Sequence, residues 1–236
     1  GSRLPGLVDA CRTLDADVAR GDLAAARTDW LSAHLAYESL GAAYTAFGSF
    51  DASINSRADG LPQGTATPGW TGFLAVEHAL WSGRSAAQVR PLTQRLVADT
   101  SGLQKEWRSD EIDPGDMPLR THEILENALQ FQLTGDADYG SGTTLATTYA
   151  NTQGTAELLA TLAGQLAKLA PHVLSDARTQ LATVQADLLA QRDSHGRWTP
   201  AASLTAAARS KLDADLGALL ETLAQLPPTV DPRNGA

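Results

Sequence analysis

Apolar residues recur at the spacing of an α-helix in the stretch from Trp30 to Trp81, and this periodicity most constrains the fold. In its last part, Phe73, Val76 and Leu80 follow one another at intervals of three and four residues, which places them on one helical face. Elsewhere Ala and Leu dominate, and runs of β-branched residues are absent. The sequence therefore predicts an all-α fold.

The periodic segments predict eight helices, at about 5–19, 22–49, 68–82, 86–108, 115–134, 143–168, 172–192 and 200–226. Eight antiparallel helices predict two packed four-helix bundles. A His–Glu pair one turn apart occurs twice, at His34–Glu38 and His122–Glu126. We accordingly expect a single domain over 1–236, with pseudo-halves at about 1–112 and 113–226 and a frayed tail at 227–236.

Composition and charge exclude several classes of function. The net charge of −9 argues against nucleic acid as a partner, because phosphate binding needs a basic patch. The single Cys11 excludes an internal disulfide and a cysteine-rich metal site. No apolar run approaches the roughly 20 residues of a membrane span. Gly1-Ser2 is typical of what tag removal leaves behind, so we expect a leader segment to have preceded this sequence.

Polar side chains inside the apolar stripes are the candidate site residues. Glu77 stands on the apolar face of its helix, where a carboxylate is costly unless it is paired, protonated or bound to a cation. His34 and Glu38 lie one turn apart, and His34 is either an exposed partner of Glu38 or a cleft residue. Asp51 and Asp59 are candidate ligands or members of a local turn network.

Two segments come close to zinc-peptidase motifs without matching them. His122-Glu123-Ile-Leu-Glu126 resembles H-E-x-x-H, but its second His is replaced by Glu. The segment from Leu74 to His78 resembles H-x-x-E-H, but its first His is replaced by Leu. Since such a site needs two imidazoles on one helical face and a third ligand, the sequence disfavours a metallopeptidase.

Three longer segments carry a family resemblance: YESLGAAYTAFGSFDASINSRADGL, the GWTGF…E…ALW stretch, and HEILENALQFQLTGDADYGSGT. They resemble the imelysin-like proteins of the EfeO/EfeM iron-uptake type over about residues 23–160. The resemblance implies an extracytoplasmic protein of two helical bundles with a cleft between them. It also implies that iron is presented to an iron permease, alongside a haem-peroxidase partner. Because no cupredoxin domain precedes the match, the resemblance favours the short architecture or an excised domain.

This sequence departs from the family pattern at its metal motif. The family G-x-H-x-x-E falls on Gly72–Glu77, so that Leu74 replaces the His while Glu77 is kept. A family Glu falls on Gln153 and a family Asp on Gln94, whereas the Glu of the Tyr-Glu segment is kept as Glu38. Leucine offers no donor atom and Gln only a neutral carbonyl, so a transition-metal site should be weakened.

We expect binding or relay within an iron-uptake system rather than enzymatic activity. The expected metal is iron, with copper or zinc as alternatives, held weakly or not at all. The remaining candidate ligands are carboxylates and one imidazole, namely Glu38, Asp51, Asp59, Glu77 and His122. His78 is a less suitable substitute for a histidine at position 74, because it lies about 100° further round the helix than its neighbour Glu77. The alternatives are a relative without metal binding that takes a polysaccharide or partner protein, and a metallopeptidase.

Overall fold

The structure is a computed structural model that describes residues 3–40, 47–107 and 115–230. In these ranges all regular secondary structure is helical, apart from one isolated bridge between Arg192 and Trp198. The all-α prediction is confirmed. None of the helices in the described ranges is long and apolar enough to cross a membrane.

The described residues form ten α-helices. Their bounds are α1 Leu4–Arg20, α2 Leu23–Glu38, α3 Ser49–Asn55, α4 Phe73–Trp81, α5 Ala86–Glu106, α6 Met117–Asn127, α7 Thr144–Leu169, α8 Pro171–Leu189, α9 Ala206–Leu223 and α10 Leu226–Val230. A π-helical turn at Ala128–Gln132 continues α6, and two 3-10 turns lie at Gly64–Ala66 and Ala201–Ser203.

Packing divides the chain into two compact units. The described residues of the first unit fall within Gly1–Tyr37, Ala43–Glu111 and Ala137–Ser141. Those of the second fall within Glu38–Ala42, Ile112–Asp136 and Gly142–Ala236. The segment 137–141 thus belongs to the first unit, although the chain on both sides of it belongs to the second.

The first unit is built on α5, which α1, α3 and α4 all contact. The side of α1 that is buried carries Leu7, Leu14 and Val18, which are spaced to form one apolar stripe. Pro5 sits in the first turn of α1, where its missing N–H costs nothing. Asp22 begins α2 by accepting the amide of Ala25 at 3.0 Å, as expected of an N-cap.

The second unit contains a four-helix bundle. Helix α6 packs on α7, α7 on α8, α8 on α9, and α9 returns to α6. A single connecting residue, Ala170, separates α7 from α8. Leucines from all four helices fill one core, which includes Leu125, Leu159, Leu188 and Leu219. Burial of this apolar face supplies most of the stability of such a bundle.

The predicted continuous helix at 22–49 is wrong in its last part. Helix α2 ends at Glu38, and α3 begins at Ser49; residues 41–46 of the prediction lie outside the described ranges. Gly48 immediately precedes α3 with a φ of +56°, a conformation that L side chains rarely adopt and that stops a helix from running through it. The spacing of apolar residues does not reveal such a break, so the sequence alone predicted a continuous helix.

The end of the chain also differs from expectation. The predicted helix start at Pro200 is wrong: α9 begins at Ala206, and the hydroxyl of Thr205 caps it by accepting the amide of Ala208 at 3.1 Å. Pro200 is extended, with a ψ of 140°. Beyond α9, the buried Leu226 starts α10, a short helix that continues over residues 227–230 of the positions assigned to the tail. Residues 231–236 of that tail fall outside the described ranges.

Candidate functional site

Helix α4 positions Glu77 in the interior of the first unit. Its seven buried residues include all of Phe73–Glu77. The helix starts directly after Gly72, which has a φ of +91° and lies so close to α3 that a Cβ would come within 2.4 Å of the Ile54 carbonyl oxygen. Only glycine permits this approach. As a result the Glu77 side chain is only 1% exposed.

Backbone amides hold the Glu77 carboxyl group. Its Oε1 accepts the N–H of Tyr139 at 3.1 Å and that of Ser141 at 3.0 Å, and the Ser141 hydroxyl is also bonded to the side chain. Burial raises the pKa of Glu77 from 4.5 to about 7, against the lowering effect of these bonds. Because both amides converge on one oxygen, the other can carry the proton of the neutral acid.

The segment that supplies these amides, residues 137–141, is tied to the first unit along its length; we call it the strap. The Tyr139 hydroxyl donates to Asp59 at 3.1 Å and accepts the Ala58 amide at 2.8 Å. The Tyr139 ring packs on Trp70 with centroids 5.1 Å apart. Burial raises the pKa of Tyr139 to about 12. The bond to the Ala58 amide lowers this pKa in part, and the bond to Asp59 raises it further.

His34 is a buried residue of the first unit rather than an exposed one. It is 2% exposed, stacks on Trp30 at 4.9 Å and lies 5.2 Å from the Phe73 ring. The Trp30 indole N–H donates to the Phe73 carbonyl oxygen at 2.9 Å, which ties α2 to α4. His34 is also close enough to Glu77 to lower the pKa of that carboxyl group.

Glu38 is buried in the second unit, and the residue that meets it is one that sequence reasoning missed. The Asn151 side-chain amide donates to Glu38 Oε2 at 2.8 Å and to its carbonyl oxygen at 3.3 Å. Asn151 belongs to a buried polar face of α7 that also carries Thr144, Thr148 and Thr155. A Thr-rich run inside an Ala/Leu helix was the signal, because a purely apolar core would not place hydroxyls at this spacing.

The other candidate ligands each have a partner within the chain. Asp51 accepts the Tyr37 hydroxyl at 2.6 Å. Asp59 accepts Arg57 Nε at 2.8 Å in addition to the Tyr139 hydroxyl. His122 lies on α6 with its Nδ1 3.5 Å from a carboxylate oxygen of Glu126.

The altered motif positions separate into buried and exposed ones. Leu74 is buried beside Ala58, Trp70 and Ala75 in a small apolar cluster. His78 is half-buried near Trp70. Its pKa is lowered mainly by burial and further by the charge of Arg84. Gln94 and Gln153 are exposed. Within the described ranges, no three His, Cys, Asp or Glu side chains are grouped to hold a metal ion.

Comparison with known proteins assigns the family. The family model described as Imelysin, whose label also carries the word peptidase, matches residues 5–226. The chain belongs to the imelysin family. The iron uptake system component EfeO of Escherichia coli K12 is 28% identical over 206 residues, which are 87% of this chain and 55% of EfeO. EfeO of Shigella flexneri matches to the same extent.

The component EfeM of Pseudomonas syringae is also similar, at 29% identity over 142 residues, which are 60% of this chain and 50% of EfeM. This imelysin chain therefore spans about half the length of the curated relatives that it matches. The predicted family is confirmed.

The residues at the positions of the family metal motif offer little to a cation. Position 74 offers a buried leucine and no donor atom. The Glu77 oxygen that faces the strap already accepts two N–H groups. A cation at this oxygen would have to compete with these bonds, because N–H groups and a cation use the same lone pairs. Of the five candidate ligands, Glu38 and His122 fall in the second unit and the other three in the first.

Proposed function

We propose that this imelysin-family chain is a binding or relay component of an extracytoplasmic iron-uptake system, with iron as its cargo. The observation that carries the proposal is the family match over residues 5–226 together with relatives named as iron uptake components. On this proposal its partners are an iron permease and a haem-peroxidase component, to which it presents the cation.

The proposed cargo site is a degenerate one. Its ligands are drawn from Glu38, Asp51, Asp59, Glu77 and His122, which offer carboxylate oxygen and one imidazole, donor types that suit iron, copper or zinc. Leu74 removes the imidazole that the family motif would place one turn before Glu77. Affinity should accordingly be low, as befits a relay that must release what it binds.

The chemistry we propose is binding rather than peptide-bond hydrolysis. A zinc peptidase needs three protein ligands and an open position for water. In this chain the H-E-x-x-H-like segment of α6 has Glu126 in place of its second His, and the α4 segment has Leu74 in place of its first. Neither helix supplies the pair of imidazoles.

A second candidate function is binding of a polysaccharide or a partner protein without metal. The observation in its favour is that Glu38 and Glu77 are already hydrogen-bonded within the chain, by Asn151 in one case and by the strap in the other. Carboxylates satisfied in this way contribute to stability without a cation.

Metal binding distinguishes the two functions. The protein should be purified without chelator, analysed for bound metal, and titrated calorimetrically with Fe(II), Fe(III), Cu(II) and Zn(II). If the chain binds cargo, metal binding should be saturable and should be weakened by Glu38→Gln and by Glu77→Gln. The control Asp9→Asn changes an exposed residue of α1 and should leave binding unchanged. Absence of binding to the native chain would favour the second function.

A further inference from the structure

Five aromatic rings of the first unit lie in a row from its surface to its interior. In order they belong to Trp81, Trp30, His34, Phe73 and Tyr37, with successive ring centroids 5.3, 4.9, 5.2 and 5.7 Å apart. Trp81 is partly exposed, whereas the other four side chains are buried. Trp30 and Tyr37 stand two turns apart on one face of α2, about 10 Å along its axis. Contacting rings over so short a path allow single electrons to pass.

The inner end of the row is a tyrosine that can give up a proton together with an electron. The Tyr37 hydroxyl donates to Asp51 Oδ1 at 2.6 Å, a length typical of a hydroxyl bonded to a carboxylate. Loss of an electron makes a phenol strongly acidic, so its proton passes to the oxygen that already accepts it. What remains is a neutral radical, whereas an oxidised Trp30 would be a buried cation. Tyr37 is therefore the favoured end point.

The charges near the outer end favour movement of an oxidising equivalent inward. The Arg27 guanidinium lies 5.7 Å from the Trp81 ring centroid and is fixed there by its bond to the Leu80 carbonyl oxygen at 2.7 Å. A cation over the ring disfavours a second positive charge on it. Trp30 has the opposite environment, since its indole N–H donates to the Phe73 carbonyl oxygen at 2.9 Å. A positive charge that forms on Trp81 is thus better held on Trp30.

We propose that this row of rings is a one-electron relay, which carries the oxidising equivalent of a radical oxidant from Trp81 to Tyr37. Trp81 gives an electron to the oxidant, which is thereby reduced; Trp30 then restores Trp81, and Tyr37 restores Trp30. The two rings between Trp30 and Tyr37 bridge the last step without being oxidised. The phenolic O–H bond breaks, a new O–H bond forms on Asp51, and a neutral tyrosyl radical remains. The relay does not depend on metal binding and so goes beyond the proposed function.

A photo-oxidant fixed beside Trp81 tests the relay. Ser82 is exposed and the native Cys11 is buried, so Ser82→Cys can be labelled selectively with a ruthenium(II) polypyridyl complex. A light flash in the presence of an electron-accepting quencher converts the label to ruthenium(III), a one-electron oxidant. Transient absorption and electron paramagnetic resonance then follow the indole and phenoxyl radicals. We expect a phenoxyl radical that forms at a rate independent of protein concentration.

Substitutions of single side chains in the labelled protein locate the path. Tyr37→Phe should abolish most of the phenoxyl signal, and Trp81→Phe should slow its formation by at least about 10-fold, because the first electron must then cross a longer gap. Asp51→Asn keeps every ring but removes the proton acceptor, so it should also lower the phenoxyl yield. The matched control is Tyr149→Phe: this tyrosine packs on Trp198 at 5.7 Å in the second unit, and its loss should leave the signal unchanged.

Tyr139 is the competing end point, because its hydroxyl also donates to a carboxylate, that of Asp59 at 3.1 Å. Asp59 is already paired with Arg57 at 2.8 Å, which makes it the weaker proton acceptor. Tyr139→Phe should therefore leave most of the phenoxyl signal. A signal that survives Tyr37→Phe, or one that Tyr139→Phe abolishes, overturns the relay. An indole radical that never gives rise to a phenoxyl radical overturns it as well.

Discussion

At the scale of single residues, buried carboxyl groups govern how this protein responds to pH. Glu77 is nearly inaccessible to solvent. The N–H donors on one oxygen favour its charged form, whereas the removal of the whole carboxyl group from water disfavours that form. Desolvation prevails, so that the pKa of Glu77 rises to about 7. A group whose pKa is raised by folding stabilises the native state at low pH, and this contribution is lost as the pH rises through the folded pKa.

We therefore expect Glu77→Gln to gain stability over the native chain as the pH is raised. Glutamine keeps an acceptor for the strap amides but cannot ionise. The difference in the free energy of unfolding should grow between about pH 5 and pH 8, by up to about 3 kcal/mol, in denaturant titrations at each pH. Glu157→Gln, at an exposed position of α7, serves as the control. A difference that does not change with pH would contradict the assignment.

A pair of carboxyl groups, Asp17 of α1 and Asp29 of α2, also bears on the pH response. Asp17 is buried, its Oδ1 is bonded to Arg20, and its Oδ2 has no protein donor. Asp29 is hydrogen-bonded to Asp17, and this bond, followed by burial and the Asp17 charge, raises the pKa of Asp29. A proton on Asp29 would supply the donor that the buried oxygen needs.

Asp29→Asn should stabilise the protein relative to the native chain at pH values above 4. The amide donates to Asp17 at every pH, whereas the Asp29 carboxyl group loses its proton as the pH rises through its raised pKa. Thermal unfolding from pH 3.5 to pH 7 should show a melting-temperature difference that widens by about 2 °C or more. Asp9→Asn, at an exposed position of the same α1, should show none. A titration of the Asp29 carboxyl carbon by NMR with a pKa at or below 3.8 would refute the proton on Asp29.

At the scale of elements, α4 determines what the altered motif can still do. Leu74 and Glu77 lie three residues apart and are both buried, so a histidine at position 74 would project from the same face as the carboxylate. By contrast, Gln153 is exposed while Asn151, on the same helix, meets Glu38. Restoring charge at 153 is thus a weaker test than restoring the imidazole at 74.

Leu74→His should gain affinity for Fe(II) or Cu(II) on the order of 10–100-fold. It should also lose about 1–3 kcal/mol of stability, because a polar ring replaces leucine in an apolar cluster. Calorimetric titration and denaturant unfolding measure the two effects. Leu74→Asn is the matched control, since it is polar and buried but a poor metal ligand. An equal gain with asparagine would show that loosening, rather than ligation, had exposed the site.

The elements also show what the sequence could and could not predict. Helix α1 was predicted within one residue at each end because its apolar stripe is regular and Gly21 terminates it. The break between α2 and α3 was missed because apolar spacing continues across it. Glu77 was singled out from its position on an apolar face. The strap that bonds to it was not predicted, since a long-range backbone contact leaves no mark in side-chain spacing.

At the scale of the molecule, each unit has its own buried core, and that of the second is almost entirely leucine. Leu216 is 1% exposed on α9, whereas Leu169, at the end of α7, is 53% exposed. The same substitution at the two positions therefore compares a core contact with a surface one. Regular spacing identifies both as helical residues, and only packing separates them.

Leu216→Ala should lower the free energy of unfolding by about 2–5 kcal/mol, since it removes buried methyl groups and leaves a cavity. Leu169→Ala should change it by less than about 0.5 kcal/mol. Denaturant unfolding followed by circular dichroism measures both. Equal losses would mean that Leu216 is not part of the packed core.

Gly72 and Glu77 bear on how family motifs are used to infer function. The close approach of α3 requires the glycine, and the strap bonds to the glutamate, so both residues have a structural task that involves no metal. A leucine at position 74 therefore removes a donor atom without disturbing either task. Among imelysin sequences, the residue at the histidine position is the informative one for assigning metal transport, and matches at the glycine and glutamate deserve less weight.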